Sequence, residues 1–128
     1  MFDNIEMLRM ARALTAHAAQ RQVVVARNIA NSDTPGFKTR DLDSFASTYR
    51  DGQAELRQTR AGHIAAPGWS PAGPRLITID SGGAPNGNTV SIEEEMARMA
   101  ETRREHDLSV NIYRSAMNMM RTSIGKRN

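Results

Sequence analysis

Val23-Val24-Val25-Ala26-Arg27-Asn28-Ile29-Ala30-Asn31-Ser32-Asp33-Thr34-Pro35-Gly36-Phe37-Lys38 is the stretch on which the fold turns. Its first half has Val25, Ile29 and the small Ala26 and Ala30 at helical spacing. Its second half cannot continue a helix. Asn31 is suited to the left-handed conformation that closes a helix C-terminus. Thr34 is pushed towards extended backbone because a proline follows it. Pro35-Gly36 fits the central positions of a type II turn, where glycine accepts positive φ at low cost. The segment therefore predicts a corner, with helix on one side and extended chain on the other.

Upstream of the corner, no Gly or Pro interrupts residues 1 to 30. Asp3 and Glu6 form an acidic variant of the capping box, placing the helix start near residue 4. Ile5, Leu8, Ala11, Leu14, Ala18, Val25 and Ile29 recur at steps of three, four and seven, with Gln22 filling the one missing place. They draw a narrow stripe rich in small residues, suited to close helix–helix approach. The predicted helix has ~27 residues and is about 40 Å long.

The C-terminal third carries the stronger pattern. Ser91 and Glu94 read as a capping box, and Glu93, Glu94 and Glu95 place negative charge on the positive end of the helix. Ile92, Met96, Met99, Arg103, His106, Val110, Tyr113, Met117, Met120 and Ile124 then follow an unbroken four-three alternation, the a/d seam of a coiled coil. Gly125 ends the run, with basic residues around it. The expected helix is ~33 residues, about 50 Å. Arg103 and His106 interrupt the apolar seam, as residues that fix register or face a neighbouring subunit. The methionines are soft packing groups that suit an interface with several slightly different neighbours.

Between the helices the texture is different. Arg40 to Tyr49 has Leu42, Phe45 and Tyr49 at amphipathic spacing, read as a short helix or as a loop with anchoring side chains. Residues 51 to 88 hold most of the glycines and every proline except Pro35. In that span only Leu76-Ile77-Thr78-Ile79 looks like a strand, with a partner expected near Ile64. The fold class expected is all-α. Residues 1–31 and 89–125 form one inner helical domain, 32–50 the turn and a short amphipathic segment, and 51–88 an extended or disordered insert possibly holding a β-hairpin.

The totals fit an assembly component better than an enzyme. Hydrophobic residues are 39% of the 128 and aromatics only 5%, so the chain is poor in the side chains that fill a globular core. Long helices can still order by burying their faces against each other or against neighbouring subunits. The absence of cysteine removes disulfides and thiolate ligation. A net charge of +3, scattered rather than clustered, argues only weakly for nucleic acid or anionic lipid. His17, His63 and His106 share no metal-ligand spacing. Gly82 to Gly87 lacks the Lys-Ser/Thr of a phosphate loop. No catalytic residue, cofactor or metal is expected. No window approaches the ~20 apolar residues of a membrane span, and the start has no Sec-type signal.

Asn28-Ile29-Ala30-Asn31 followed by Thr34-Pro35-Gly36-Phe37-Lys38 resembles the N-terminal signature of the bacterial flagellar axial proteins, which build rod, hook and filament. Thr39-Arg40-Asp41-Leu42, Asn86-Gly87-Asn88-Thr89-Val90, Glu93-Glu94-Glu95-Met96 and Met120-Arg121-Thr122-Ser123-Ile124-Gly125 resemble its proximal rod members. Phe37 stands where Tyr is commoner. The resemblance implies a subunit of the basal-body rod, exported by the flagellar type III apparatus and located in the periplasm. Its implied partners are copies of itself, other proximal rod proteins, the rod–MS-ring adaptor, the MS ring and the export gate. The expected subunit interface sets Ile5, Leu8, Leu14, Val25 and Ile29 against Ile92, Met96, Met99, Val110, Tyr113, Met117, Met120 and Ile124. The competing readings are a small helical adaptor or export-chaperone-like module and, third, a nucleic-acid-binding coiled coil.

Overall fold

The computed structural model describes residues 2–53, 74–80 and 82–125. Helix α1 (Phe2–Ala30) runs into the corner. Strand β1 (Arg40–Leu42) and helix α2 (Phe45–Gln53) follow, then strand β2 (Leu76–Thr78) and helix α3 (Ile92–Gly125). Helix α1 already includes Phe2, so it begins before the start expected near residue 4.

The two long helices are antiparallel neighbours. Thr15 bonds Ser109 at 2.8 Å, Arg21 reaches Glu105 and Glu101, and Asn28 reaches Glu95, so the partner number falls as the α1 number rises. A buried row recurs every seven positions on both helices: Ala11, Ala18 and Val25 on α1, which also buries His17 and Asn28, and Glu95, Thr102, Ser109 and Ala116 on α3. A seven-residue step keeps one helix in contact with another along its length.

This line of contact corrects the seam expected from the sequence. Arg103, Val110, Met117 and Ile124 sit one residue after the buried row, about 100° further round the helix. Ile92 and Met96 are exposed, as are Arg103, Tyr113 and Ile124, while Met99, His106, Val110, Met117 and Met120 lie half-buried on the flank. The apolar count favoured the large side chains. What faces α1 is instead a row of small and polar ones, which lets the helices approach closely and pairs polar groups across the gap.

Thr102 and Ser109 are tolerable there because each hydroxyl bonds back to its own helix, at the carbonyls of Arg98 and His106. Ser91 departs from the expected capping box: its hydroxyl bonds the Glu93 carboxylate, and Glu94 instead pairs with Arg98.

Arg40 to Tyr49 is divided between strand and helix. Residues 40–42 pair antiparallel with 78–76, in the register Arg40↔Thr78, Asp41↔Ile77 and Leu42↔Leu76. The partner of the Leu76 strand is therefore β1, and Ile64 lies outside the described residues, like most of the expected insert. Ser44 starts α2 by accepting the Ser47 amide on its hydroxyl. Phe45 packs against Tyr49 with ring centres 5.4 Å apart and meets the His17 ring edge-on at 5.7 Å. His17 Nε2 donates to the Asp43 carbonyl, fixing α2 on α1.

Candidate functional site: the corner between the long helices

The corner begins without a left-handed residue. No residue other than glycine has positive φ among the described residues, so Asn31 does not close the helix as the sequence suggested. The helix end tightens instead. The Asn31 amide is shared between the Arg27 and Asn28 carbonyls, and the amides of Ser32 and Thr34 bond Ile29 and Asn31. The Asn31 side chain donates to the Arg27 carbonyl and accepts from the Thr34 hydroxyl. These bonds satisfy carbonyls that a helix C-terminus otherwise leaves open.

The turn that follows is the expected one. The Phe37 amide bonds the Thr34 carbonyl across Pro35-Gly36, and Gly36 has φ 74°. The loop before α3 then clamps it. The Gly36 amide donates to the Asn86 carbonyl at 3.0 Å, and the Thr89 amide donates to Phe37. Asn88 is buried, and its Nδ2 lies 2.8–3.0 Å from the carbonyls of Asn31, Ser32 and Thr34. Its Oδ1 accepts the Val90 amide. Gly87, with φ 80°, lets this loop pass alongside Gly36.

Beyond the turn, Thr39 and Thr89 are bonded twice between side chain and backbone, Thr39 N to Thr89 Oγ1 at 2.9 Å and Thr39 Oγ1 to the Thr89 carbonyl at 2.7 Å. Two strings far apart in sequence, 28–39 and 86–90, thus form one unit.

Asn28 ties this unit to both helices. Its amide faces the Arg40 backbone as a neighbouring strand would, Nδ2 donating to the carbonyl at 2.6 Å and Oδ1 accepting the amide at 3.3 Å. The same Nδ2 lies 3.0 Å from Glu95 Oε2. Glu95 is fully buried and also pairs with Arg98. Two turns earlier on α1, Arg21 forks onto Asp41, Nε to Oδ1 at 3.0 Å and Nη2 to Oδ2 at 3.1 Å, while reaching Glu101 and Glu105. The hydrogen bond to Asp41 holds the Arg21 guanidinium even above the ordinary arginine range, and the neighbouring acidic charges add to it. A forked arginine–carboxylate pair fixes orientation as well as charge, so β1 is held in place against α1 and α3.

Of the motif residues, Asn28 is buried; Ile29, Asn31 and Phe37 are half-buried; Ala30, Thr34, Pro35, Gly36 and Lys38 are exposed. Of the expected interface residues on α1, Ile5 is exposed, Leu8 and Leu14 are half-buried, and Val25 is fully buried inside the subunit. Val25 is therefore not available to a neighbour. Sequence reasoning missed Arg21, Asp41, Asn88 and Glu95 as organising residues. Asn88 lay in a string already singled out, but its three carbonyl partners sit more than fifty residues earlier. Among the described residues no group of His, Asp and Glu converges to hold a metal, and no helix is long and apolar enough to cross a membrane.

Two antiparallel helices joined through a clamped corner, with large apolar side chains left outside, define a helical subunit made for assembly. Residues 10–38, which include the corner motif, match the family described as flagella basal body rod protein. The chain is 31% identical to the flagellar basal body rod protein FlgB of Salmonella typhimurium, over 94% of each chain. It is 34% identical to FlgB of Escherichia coli K12 over 86% of this chain and 87% of the relative, and 29% identical to that of Agrobacterium fabrum over 91% and 90%. The chain belongs to the FlgB family of flagellar basal body rod proteins, and so is a structural subunit of the basal-body rod.

Proposed function

We propose that the chain is a subunit of the proximal rod, polymerising with copies of itself and with other proximal rod proteins into the drive shaft that also serves as the export channel. The observation that carries this reading is the placement of the large side chains. Ile92, Met96, Leu108, Tyr113, Met119 and Ile124 are exposed on α3, whereas its buried row is Glu95, Thr102, Ser109 and Ala116. A helix that keeps its small residues for its own partner and turns its large apolar ones outward is built to be covered by neighbouring subunits. The interface then comprises Ile5, Leu8, Leu14 and Ile29 on α1, and on α3 Ile92, Met96, Met99, Val110, Tyr113, Met117, Met120 and Ile124. The corner at 31–37 sets the angle at which the chain leaves the inner helices. The rod–MS-ring adaptor, the MS ring and the export gate are the neighbours at the membrane-proximal end. The subunit reaches the periplasm through the flagellar type III apparatus and has no enzymatic role.

Deleting the gene is expected to remove basal-body rods from electron micrographs and to abolish swimming, with rescue by the wild-type gene but not by Tyr113→Asp. The Tyr113→Asp subunit should still be helical when purified. Intact rods in the deletion strain would overturn the reading and favour the adaptor alternative.

A further inference from the structure

Beside the corner, a groove of about 320 Å³ opens between α1, the turn and β2. Its apolar wall is formed by Val23, Val24, Phe37 and Leu76, of which Val23 is 68% and Leu76 50% exposed. Its remaining lining includes three cations, Arg27, Lys38 and Arg40. All three are exposed, and their side chains have no ion pair among the described residues. Val23 and Arg27 lie about 160° round α1 from Val25, so this flank is turned away from α3.

The complementary chemistry is an apolar side chain accompanied by carboxylates, and the first turn of α3 presents it. Ile92 and Met96, one turn apart, are 47% and 63% exposed. Among the described residues Glu93, between them, has only the Ser91 hydroxyl and the helix N-terminus as partners, and Glu94 holds Arg98 at 3.4 Å. Within one chain α3 packs along the Ala11, Ala18 and Val25 row of α1 and meets Asn28, which also lines the groove, only through the buried Glu95, while Ile92, Glu93, Glu94 and Met96 stay exposed.

We propose that the groove receives the first turn of α3 from a second copy of this chain. Ile92 and Met96 fill the apolar wall, and Glu93 and Glu94 meet Arg27, Lys38 and Arg40. Each copy then offers one groove and one helix start on different surfaces. Such a contact is heterologous and continues from copy to copy, as a helical rod requires. The proposal rests on the rod-subunit reading and adds to it the residues that join like copies.

The chain has no cysteine of its own, so single cysteines report cleanly. A deletion strain would express two copies of different size, one with Lys38→Cys and one with Glu93→Cys, and isolated basal bodies would be treated with a short bismaleimide. A cross-link that needs both copies is expected. Arg27→Glu in the first copy should lower its yield about tenfold by setting like charges together, and Glu94→Lys in the second should restore it. Arg27→Gln, which removes the charge without reversing it, should fall between. Rods assembled in normal number without the cross-link, or with a yield indifferent to Arg27, would overturn the groove contact and leave the rod-subunit reading standing. Basal bodies that form without either copy would overturn the rod-subunit reading itself.

Discussion

The face that α3 turns to α1 and the face it turns outward invert the usual distribution of side chains. Inside lie Glu95, Thr102, Ser109 and Ala116; outside lie Ile92, Met96, Leu108, Tyr113 and Ile124. A monomer that had to be stable alone would bury the second set, since burying a large apolar side chain contributes about 1.5–3 kcal/mol. Here the inner face is held by close packing of small residues and by bonds such as Thr15–Ser109 and Asn28–Glu95. These specify register more than they supply apolar burial. On the proposed rod reading, the outer face supplies the hydrophobic area that neighbouring subunits cover, and the inner face sets the shape of the subunit.

That contrast breaks most visibly at Ala18. It is wholly buried in the seven-residue row of α1, and a larger side chain there has to push the helices apart. Ala18→Leu is expected to destabilise the free subunit by about 3 kcal/mol, read as a lower midpoint in a urea titration followed by circular dichroism. Tyr113→Asp, on the exposed face, should change the same midpoint by no more than about 0.5 kcal/mol and yet leave no rods. If the two variants changed subunit stability equally, the division between inner and outer faces would be wrong.

A smaller effect is expected at the clamp, which belongs to the inner side of the comparison. Asn88→Ala removes the side-chain donor facing the carbonyls of Asn31, Ser32 and Thr34. The Ser32 carbonyl and the Val90 amide lose the Asn88 side chain as partner, whereas the Asn31 and Thr34 carbonyls keep the amides of Thr34 and Phe37. Leaving such groups unpaired costs about 1–3 kcal/mol, so a loss near 2 kcal/mol is expected. Hydrogen exchange should speed up first at the amides of Gly36, Phe37 and Thr89, whose bonds hold the same unit together. Unchanged exchange at those amides would show that the clamp does not depend on Asn88.

The long helices and the Pro35-Gly36 turn were legible because their signals are local, whereas the devices expected at the helix ends, the two capping boxes and a left-handed Asn31, are not those found. Runs free of Gly and Pro and a turn that needs positive φ at Gly36 can each be read within a few residues. The inner face was legible on α1, whose small-residue stripe held Ala11, Ala18 and Val25, but not on α3, where hydrophobic periodicity looks for large apolar residues and the buried row is Glu95, Thr102, Ser109 and Ala116. The pairing of β1 with β2 was missed because Arg40-Asp41-Leu42 is short and lacks the alternation of a strand, Asp41 and Leu42 both being buried. The site suffered from distance. Asn28 and Glu95 are 67 positions apart, and Arg21 and Asp41 are 20 apart with a corner between them. Neither pair leaves a spacing that a single sequence reveals, although the strings containing Asn28, Asn88 and Glu95 had each been singled out.

The smallest effect is expected at Glu93, on the outer side of the comparison, two residues from the buried Glu95. Its carboxylate is held below its ordinary range by its own backbone amide at the helix start and then by the Ser91 hydroxyl. A carboxylate whose folded pKa is depressed stabilises the fold above its unfolded pKa, and that contribution is lost as pH falls through the folded value. The stability gap between wild type and Glu93→Gln should therefore be small at neutral pH, shrink only below the ordinary glutamate range near 4.5, and narrow further with added salt, because the group is fully exposed. Urea titrations at pH 7 and pH 3 would measure it. A gap as large as that of Asn88→Ala would mean that Glu93 is held inside the fold, and that the start of α3 is not free to meet another subunit.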